Sequence, residues 1–240
     1  MNKMRDCAKI IQKALEEGRS TLLVNEAQQV CSLHNIPTPK SAMASDVQEA
    51  ILSASDVGFP VALKIVSPQI VHKSDVGGVL LNVRDEQELA FQFKKMTTEV
   101  GRREPSAKIL GVFVEKMMPS STEVIIGGIR DRQFGPSVMF GIGGVFAEIY
   151  NDAAFRIAPI DRVDASNLIR SLKGSRILEG IRGKPSADLD SLIDVLISVS
   201  NLVLEHEEIS QLDLNPVIVY PDSVCAVDFR IVIGKRDGGK

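Results

Sequence analysis

No two cysteines in this chain are placed to hold a metal or close a local disulfide. Cys7, Cys31 and Cys225 lie far apart, with no Cys-x-x-Cys pair and no His–Cys cluster in the sequence. An odd count without metal spacing reads as buried thiols in a reducing compartment. Charge of one sign is also missing. Lys and Arg number 28 against 31 Asp and Glu, a formal net charge of −3, and no basic block stands out before the short tail at 234–240. Bulk charge therefore gives no nucleic-acid surface. No apolar run approaches the roughly 18 residues that span a bilayer, and the N-terminus carries acidic residues where a signal peptide would be apolar. The expectation is a cytoplasmic chain with no nucleic-acid and no membrane partner. There is no internal repeat and no low-complexity segment. What remains is ordinary globular composition, 240 residues at 44% hydrophobic and 25% charged, enough for one large domain or two lobes.

Apolar spacing predicts helices over residues 4–17, 25–34 (Asn25 as N-cap), from Ser45 or Asp46 onward, 85–100, 164–172 and 187–204. Short β-branched runs predict strands over 61–66, 79–83, 109–115, 122–129, 137–140, 145–150, 217–220 and 224–232, with 130–136 and 141–144 as turns. Strands and helices mixed in this way give an α+β (mixed α/β) fold.

Four features carry chemistry. Lys64 sits inside an apolar strand, so its ammonium faces a cleft or a partner carboxylate, unless it reaches solvent at the strand end. His72 and Lys73 open a polar segment ending in Gly77-Gly78. Paired glycines let backbone N–H groups approach phosphate, although most such pairs are plain turns, and a neutral imidazole is a competent nucleophile towards phosphorus. His34 and His206 read as ordinary hydrogen-bonded residues. Asp213, Asn215 and Asp228 offer hard oxygen donors, with 213 and 215 on one face if the segment is a strand, a set suited to Mg²⁺. A polar turn opened by Asn215-Pro216 accounts equally well for that spacing. Glu115 and Glu123 flank Met117-Met118-Pro119, where carboxylates can meet ribose hydroxyls and methionines a flat base, although surface charges at strand ends account for them equally well. Gly141-Ile142-Gly143-Gly144 resembles half of a dinucleotide fingerprint, but the expected strand after it removes that reading.

Taken in order, FPVALKIVSPQIVHKSDVGGVLLNV, GVFVEKMMPSSTEVIIGGIRDRQFGP, MFGIGGVFAEIYNDAAFRIAPI, ISQLDLNPVIV and AVDFR resemble an ATP-grasp domain. More narrowly, they resemble the nucleotide-binding β subunits of ADP-forming acetate–CoA ligases, within the NDP-forming acyl-CoA synthetases. The resemblance runs over residues 20–232. It implies two ATP-grasp lobes with nucleotide bound between them: a helix at 1–20 packed on the larger lobe, an N-terminal lobe at 21–110, a C-terminal lobe at 111–233 and a tail at 234–240.

By the same resemblance Lys64 holds nucleotide phosphates, with Lys73, Gly77 and Gly78 in the loop that covers them. Glu115 and Glu123 lie at the adenine and ribose end, and the backbone at Lys116 and Met117 meets the base. Asn215 and Asp228 bind Mg²⁺ with Asp213 beside them. His72 is a transient phosphohistidine passing phosphate to ADP. The phosphate arrives from a second histidine on a CoA-binding α subunit in an α2β2 assembly. The implied reaction is acetyl-CoA + ADP + phosphate giving acetate + ATP + CoA.

Succinyl-CoA synthetase β chains differ. They carry a glutamate where Asp213 stands, lack the loop histidine and continue into a further domain. Other readings are an ATP-grasp carboxylate ligase without a phosphohistidine, a nucleotide-sensing module, and the detached half of another acyl-CoA synthetase or protein acetyltransferase.

Overall fold

The structure, a computed structural model, describes residues 3–144, 152–180 and 185–234. The strand expected over 145–150 and the tail from 235 lie outside the described residues. Contacts divide the chain into two units: Leu23–Asn25 with Pro39–Pro119, and Met1–Leu22 with Glu26–Thr38 and Ser120–Lys240.

The smaller unit grows from the β-branched runs. A four-stranded antiparallel sheet has the order β1–β4–β2–β3, with β1 Ser41–Ala44, β2 Val61–Val66, β3 Val79–Val83 and β4 Gly111–Lys116. Helices α3 (Val47–Val57) and α4 (Glu86–Arg103) begin where an aspartate can cap them. Asp46 Oδ1 accepts from the N–H groups of Gln48 and Glu49, and Asp85 Oδ1 from that of Glu88. Side chains alternate along a strand. Val61, Leu63 and Ile65 of β2 and Val112 and Val114 of β4 thus form one core with Ala50, Ala54, Leu89, Phe93, Met96 and Val100 of the helices. Ala62, Lys64, Phe113 and Glu115 face the other way.

The larger unit holds a second antiparallel sheet in the order β10–β8–β5–β6–β7, with β9 beside β8. Its strands are β5 Thr122–Asp131, β6 Gly135–Ile142, β7 Ala153–Ile157, β8 Ile209–Val219, β9 Val224–Ala226 and β10 Phe229–Ile233. Helix α6 (Leu189–Glu205) buries Leu192, Leu196, Val199 and Val203 and packs on β5, β6 and β8; α5 (Arg162–Arg170) packs against α6. Helix α1 (Lys3–Glu16), α2 (Val24–Leu33) from Glu26 onward and a 3-10 helix at Lys173–Glu179 also belong to this unit. No described helix is long and apolar enough to cross a membrane.

Several expectations need correction. The boundary between units falls after Pro119, not after residue 110, because β4 pairs with both β1 and β2. Most of α2 belongs with the larger unit. Asn25 lies inside α2 rather than capping it. The strand expected at 224–232 is two strands, and that at 217–220 is the end of an 11-residue strand.

Candidate functional site

Lys64 does not reach solvent. Its side chain is buried, and Nζ donates to Glu115 Oε1 at 3.1 Å from the neighbouring strand. The register explains the meeting: Ala62 faces Glu115 and Lys64 faces Phe113, so Lys64 and Glu115 are diagonal neighbours on the face opposite the core shared with α3 and α4. The resemblance assigns these two residues to different ends of a nucleotide, whereas the fold places them in contact.

The segment after β2 is tied down on both sides of His72. Ile70 is buried in the core under the helices, and Gln69 Oε1 accepts the Lys108 N–H at 3.0 Å. Beyond His72 the chain makes one helical turn with Schellman bonding: Gly78 N–H to Lys73 O at 2.7 Å and Gly77 N–H to Ser74 O at 3.1 Å. Gly77 has φ +75°, and a Cβ on Gly78 would stand 2.7 Å from Ile65 Cγ2. These two amides are therefore spent inside the loop and are not open donors for phosphate, a correction to the covering role expected of them. Between the anchors His72 is exposed, and no hydrogen bond holds its ring among the described residues. The Arg103 guanidinium, unremarked in the sequence, lies beside Gly77.

Lys116 and Met117 are also engaged. Lys116 Nζ donates to the carbonyls of Gly58 and Phe59, both at 2.8 Å, closing the end of α3. The Lys116 N–H goes to Lys40 O and the Met117 N–H to Pro60 O. A base meeting this stretch would find carbonyls and side chains, not these two N–H groups.

In the larger unit Glu123 on β5 is half-buried, and its carbonyl accepts the Gly143 N–H at 2.9 Å, so the chain closes against it just past β6; Gly141 and Ile142, expected in a turn, are the last residues of that strand. Asp213 and Asn215 lie in β8, which settles strand over turn. The Asn215 N–H donates to Asp228 O at 3.3 Å, bringing both exposed residues to one end of the β8–β10 pair. Asp213 is half-buried opposite Arg230. Burial holds its carboxyl above the usual carboxylate range; Arg230 opposes the shift and the Asp228 charge adds to it. Two carboxylates and an amide oxygen within one strand pair suit a hard divalent cation, which would relieve that mutual repulsion.

A sign follows. Between the unfolded carboxyl value of about 3.9 and the raised folded one, the folded chain binds more protons than the unfolded chain. Stability should then fall as pH rises through that window. Metal-free thermal unfolding across mildly acidic pH should show this slope, and Asp213→Asn should flatten it; an equal slope in the variant removes Asp213 as the cause.

A family model described as an ATP-grasp domain matches residues 13–233. The chain is 42% identical to acetate–CoA ligase [ADP-forming] I subunit beta of Pyrococcus furiosus, covering 97% of this chain and 100% of that one. It is 45% identical to acetate–CoA ligase [ADP-forming] I of Archaeoglobus fulgidus, over 95% of this chain but 33% of the longer relative. It is also similar to acetyl-coenzyme A synthetase 1 of Ca. Korarchaeum cryptofilum, solved with coenzyme A and Mg-AMPPCP and with its phosphohistidine segment pointing towards the nucleotide binding site. That match has TM-score 0.84 and 41% identity, covering 95% of this chain and 100% of that chain. The chain belongs to the ATP-grasp family and, within it, to the β-subunit family of the ADP-forming acetate–CoA ligases.

Proposed function

We propose that this chain is the nucleotide-binding β subunit of an ADP-forming acetyl-CoA synthetase and supplies the last, ATP-forming step of the overall reaction acetyl-CoA + ADP + phosphate ⇌ acetate + ATP + CoA. The observation that carries the reading is the placement of His72: an exposed imidazole with no hydrogen bond among the described residues, on a crest anchored at Ile70 and Gly78. A side chain that must accept a phosphoryl group and give it up needs that freedom together with a fixed base.

Phosphoryl transfer asks little covalent chemistry of a protein beyond position and charge. In the forward step the N–P bond of phosphorylated His72 breaks as an oxygen of the ADP terminal phosphate bonds to phosphorus, and the imidazole leaves neutral. Lys64 supplies a cation to the diphosphate, and Glu115 acts as a positioning residue that orients its ammonium. Lys73, beside His72, adds charge where the phosphoryl group moves. Asn215 and Asp228, with Asp213 beside them, would hold Mg²⁺, which supplies neutralisation of the diphosphate when bound. The phosphate reaches His72 from a CoA-binding α subunit in an α2β2 assembly. The Archaeoglobus relative, three times as long as its matched part, is consistent with such a partner fused in one chain. A cytoplasmic setting fits three buried cysteines that form no disulfide.

The test is phosphoenzyme trapping. Chain incubated with Mg²⁺ and γ-labelled ATP should take up base-stable, acid-labile label, and His72→Asn should take up none. A His72→Asn chain that labels as the parent does removes the relay.

A further inference from the structure

His34 and His206 take no part in the reaction proposed above, and neither does Cys7. The fold nevertheless gathers all three in the larger unit. Cys7 comes from α1, His34 follows α2, and His206 caps α6, its N–H bonded to Leu202 O at 3.2 Å. One ligand atom from each residue lies within 4.8 Å of the other two; Cys7 and His206 are buried, and the His34 side chain is 8% exposed. The sequence shows no such cluster.

The distances suit coordination. Cys7 Sγ and His34 Nδ1 are 3.5 Å apart. Two ligands at about 2.3 Å (Zn–S) and 2.0–2.1 Å (Zn–N) around a tetrahedral ion stand roughly 3.6 Å from each other. On its far side His34 Nε2 lies 3.2 Å from Glu205 Oε2. A carboxylate there can accept a hydrogen bond from Nε2–H, the arrangement that orients metal-binding histidines; Nδ1 then faces both the thiol and, at 3.2 Å, the Val30 carbonyl, and its lone pair is what a bound ion would take.

His206 adds an independent sign. The residue is 3% exposed, yet its Nε2 has no hydrogen-bond partner among the described residues. A buried ring nitrogen left without a partner is unfavourable in a core held by packing alone. The rings of His34 and His206 meet edge to face with centroids 5.2 Å apart.

We propose that Cys7, His34 and His206 form a site for a divalent transition metal that prefers thiolate and imidazole, Zn²⁺ above all, with Glu205 orienting His34. Binding exchanges the Cys7 thiol proton for a metal–sulfur bond, releases that proton to solvent, and pins α1 to α2 and to the end of α6. A hard ion such as Mg²⁺ does not suit this donor set.

The test uses the full chain, freed of metal by chelation, kept reduced and titrated with Co²⁺. One equivalent should bind with thiolate-to-cobalt charge-transfer absorption, and one equivalent of Zn²⁺ should displace it and raise the Tm. Cys7→Ser should lose the absorption. Glu205→Gln should keep it at an affinity lowered roughly 10- to 100-fold. No charge-transfer band in the parent chain overturns the site, and so does a band that survives in Cys7→Ser, since the thiolate would then be Cys31 or Cys225. Should Cys7→Ser fail to fold by circular dichroism, His206→Gln decides: unchanged Co²⁺ affinity overturns the proposal, and weakened binding with the band retained supports it.

Discussion

Glu115→Ala should be among the most damaging single changes in the smaller unit, costing about 3–5 kcal/mol because it leaves the Lys64 ammonium buried without its carboxylate. For a chain of this size that loss lowers the Tm by roughly 6–20 °C. The pair is 3.1 Å apart, with both side chains under a tenth exposed. Two charges there offset each other, and one alone must lose its proton or draw in water. Lys64→Met combined with Glu115→Leu removes both charges and should restore most of the stability. Function should not return with it. A lysine–phosphate contact is worth about 1.5–3 kcal/mol, so ADP binding in the double variant should weaken roughly 10- to 150-fold. Scanning calorimetry and ADP titration separate the two quantities. An unchanged Tm in Glu115→Ala denies the pair its structural weight, and parental ADP affinity in the double variant denies Lys64 its ligand.

Gly78→Ala should nearly abolish phosphoryl transfer while leaving the chain folded. The added methyl meets Ile65 Cγ2 at 2.7 Å and Lys73 O at 3.0 Å, and both neighbours are fixed. Ile65 belongs to the core, and Lys73 O already accepts the Gly78 N–H. Relief comes only by lifting the turn, an overpacking cost of about 1–3 kcal/mol. The turn starts one residue after His72, so the strain falls on the segment that aims the imidazole. A displacement of about 1 Å can cost 100-fold in rate. Single-turnover phosphate exchange, compared with the thermal shift, checks this. A rate that falls only in step with the folded fraction would mean that the loop geometry does not aim His72.

Elements bounded by strong punctuation were legible from sequence. Strands 61–66 and 79–83 have the predicted ends because Pro60, Pro68 and the glycine pair leave no other place to stop. Strand β1, four residues of Ser, Ala and Met, carries no β-branched signal, and β7 is an edge strand with mostly exposed side chains, so both were missed. Asp213-Leu214-Asn215-Pro216 mimics a turn, which hid the first two thirds of β8. At the site, Lys64 stood out because a lysine within an apolar strand demands an explanation. Glu115 stood out too, but as a ribose contact and not as the partner of Lys64, since it is 51 residues away and the meeting depends on the register of β2 against β4. Cys7 and the two histidines were obscured in the same way. Pairings between distant segments are the part of a fold that local pattern cannot encode.

The smaller unit is almost entirely one uninterrupted stretch, Pro39–Pro119, whereas the larger one is assembled from pieces on both sides of it. Near the N-terminus, Thr21 bridges to Val232, and the Leu22 and Ile233 N–H groups bond to Ile231 O and Ser20 O. On the ribosome, the insert has its whole core available once residue 119 has emerged, while residues 20–22 wait for the last strand to be synthesised. Loop closure across the whole chain then comes after a domain is already folded in its middle, which shortens the flexible path that must be closed. Maturation then departs from residue order: the middle can settle first, and the segments at 20–22 and 231–233 meet last.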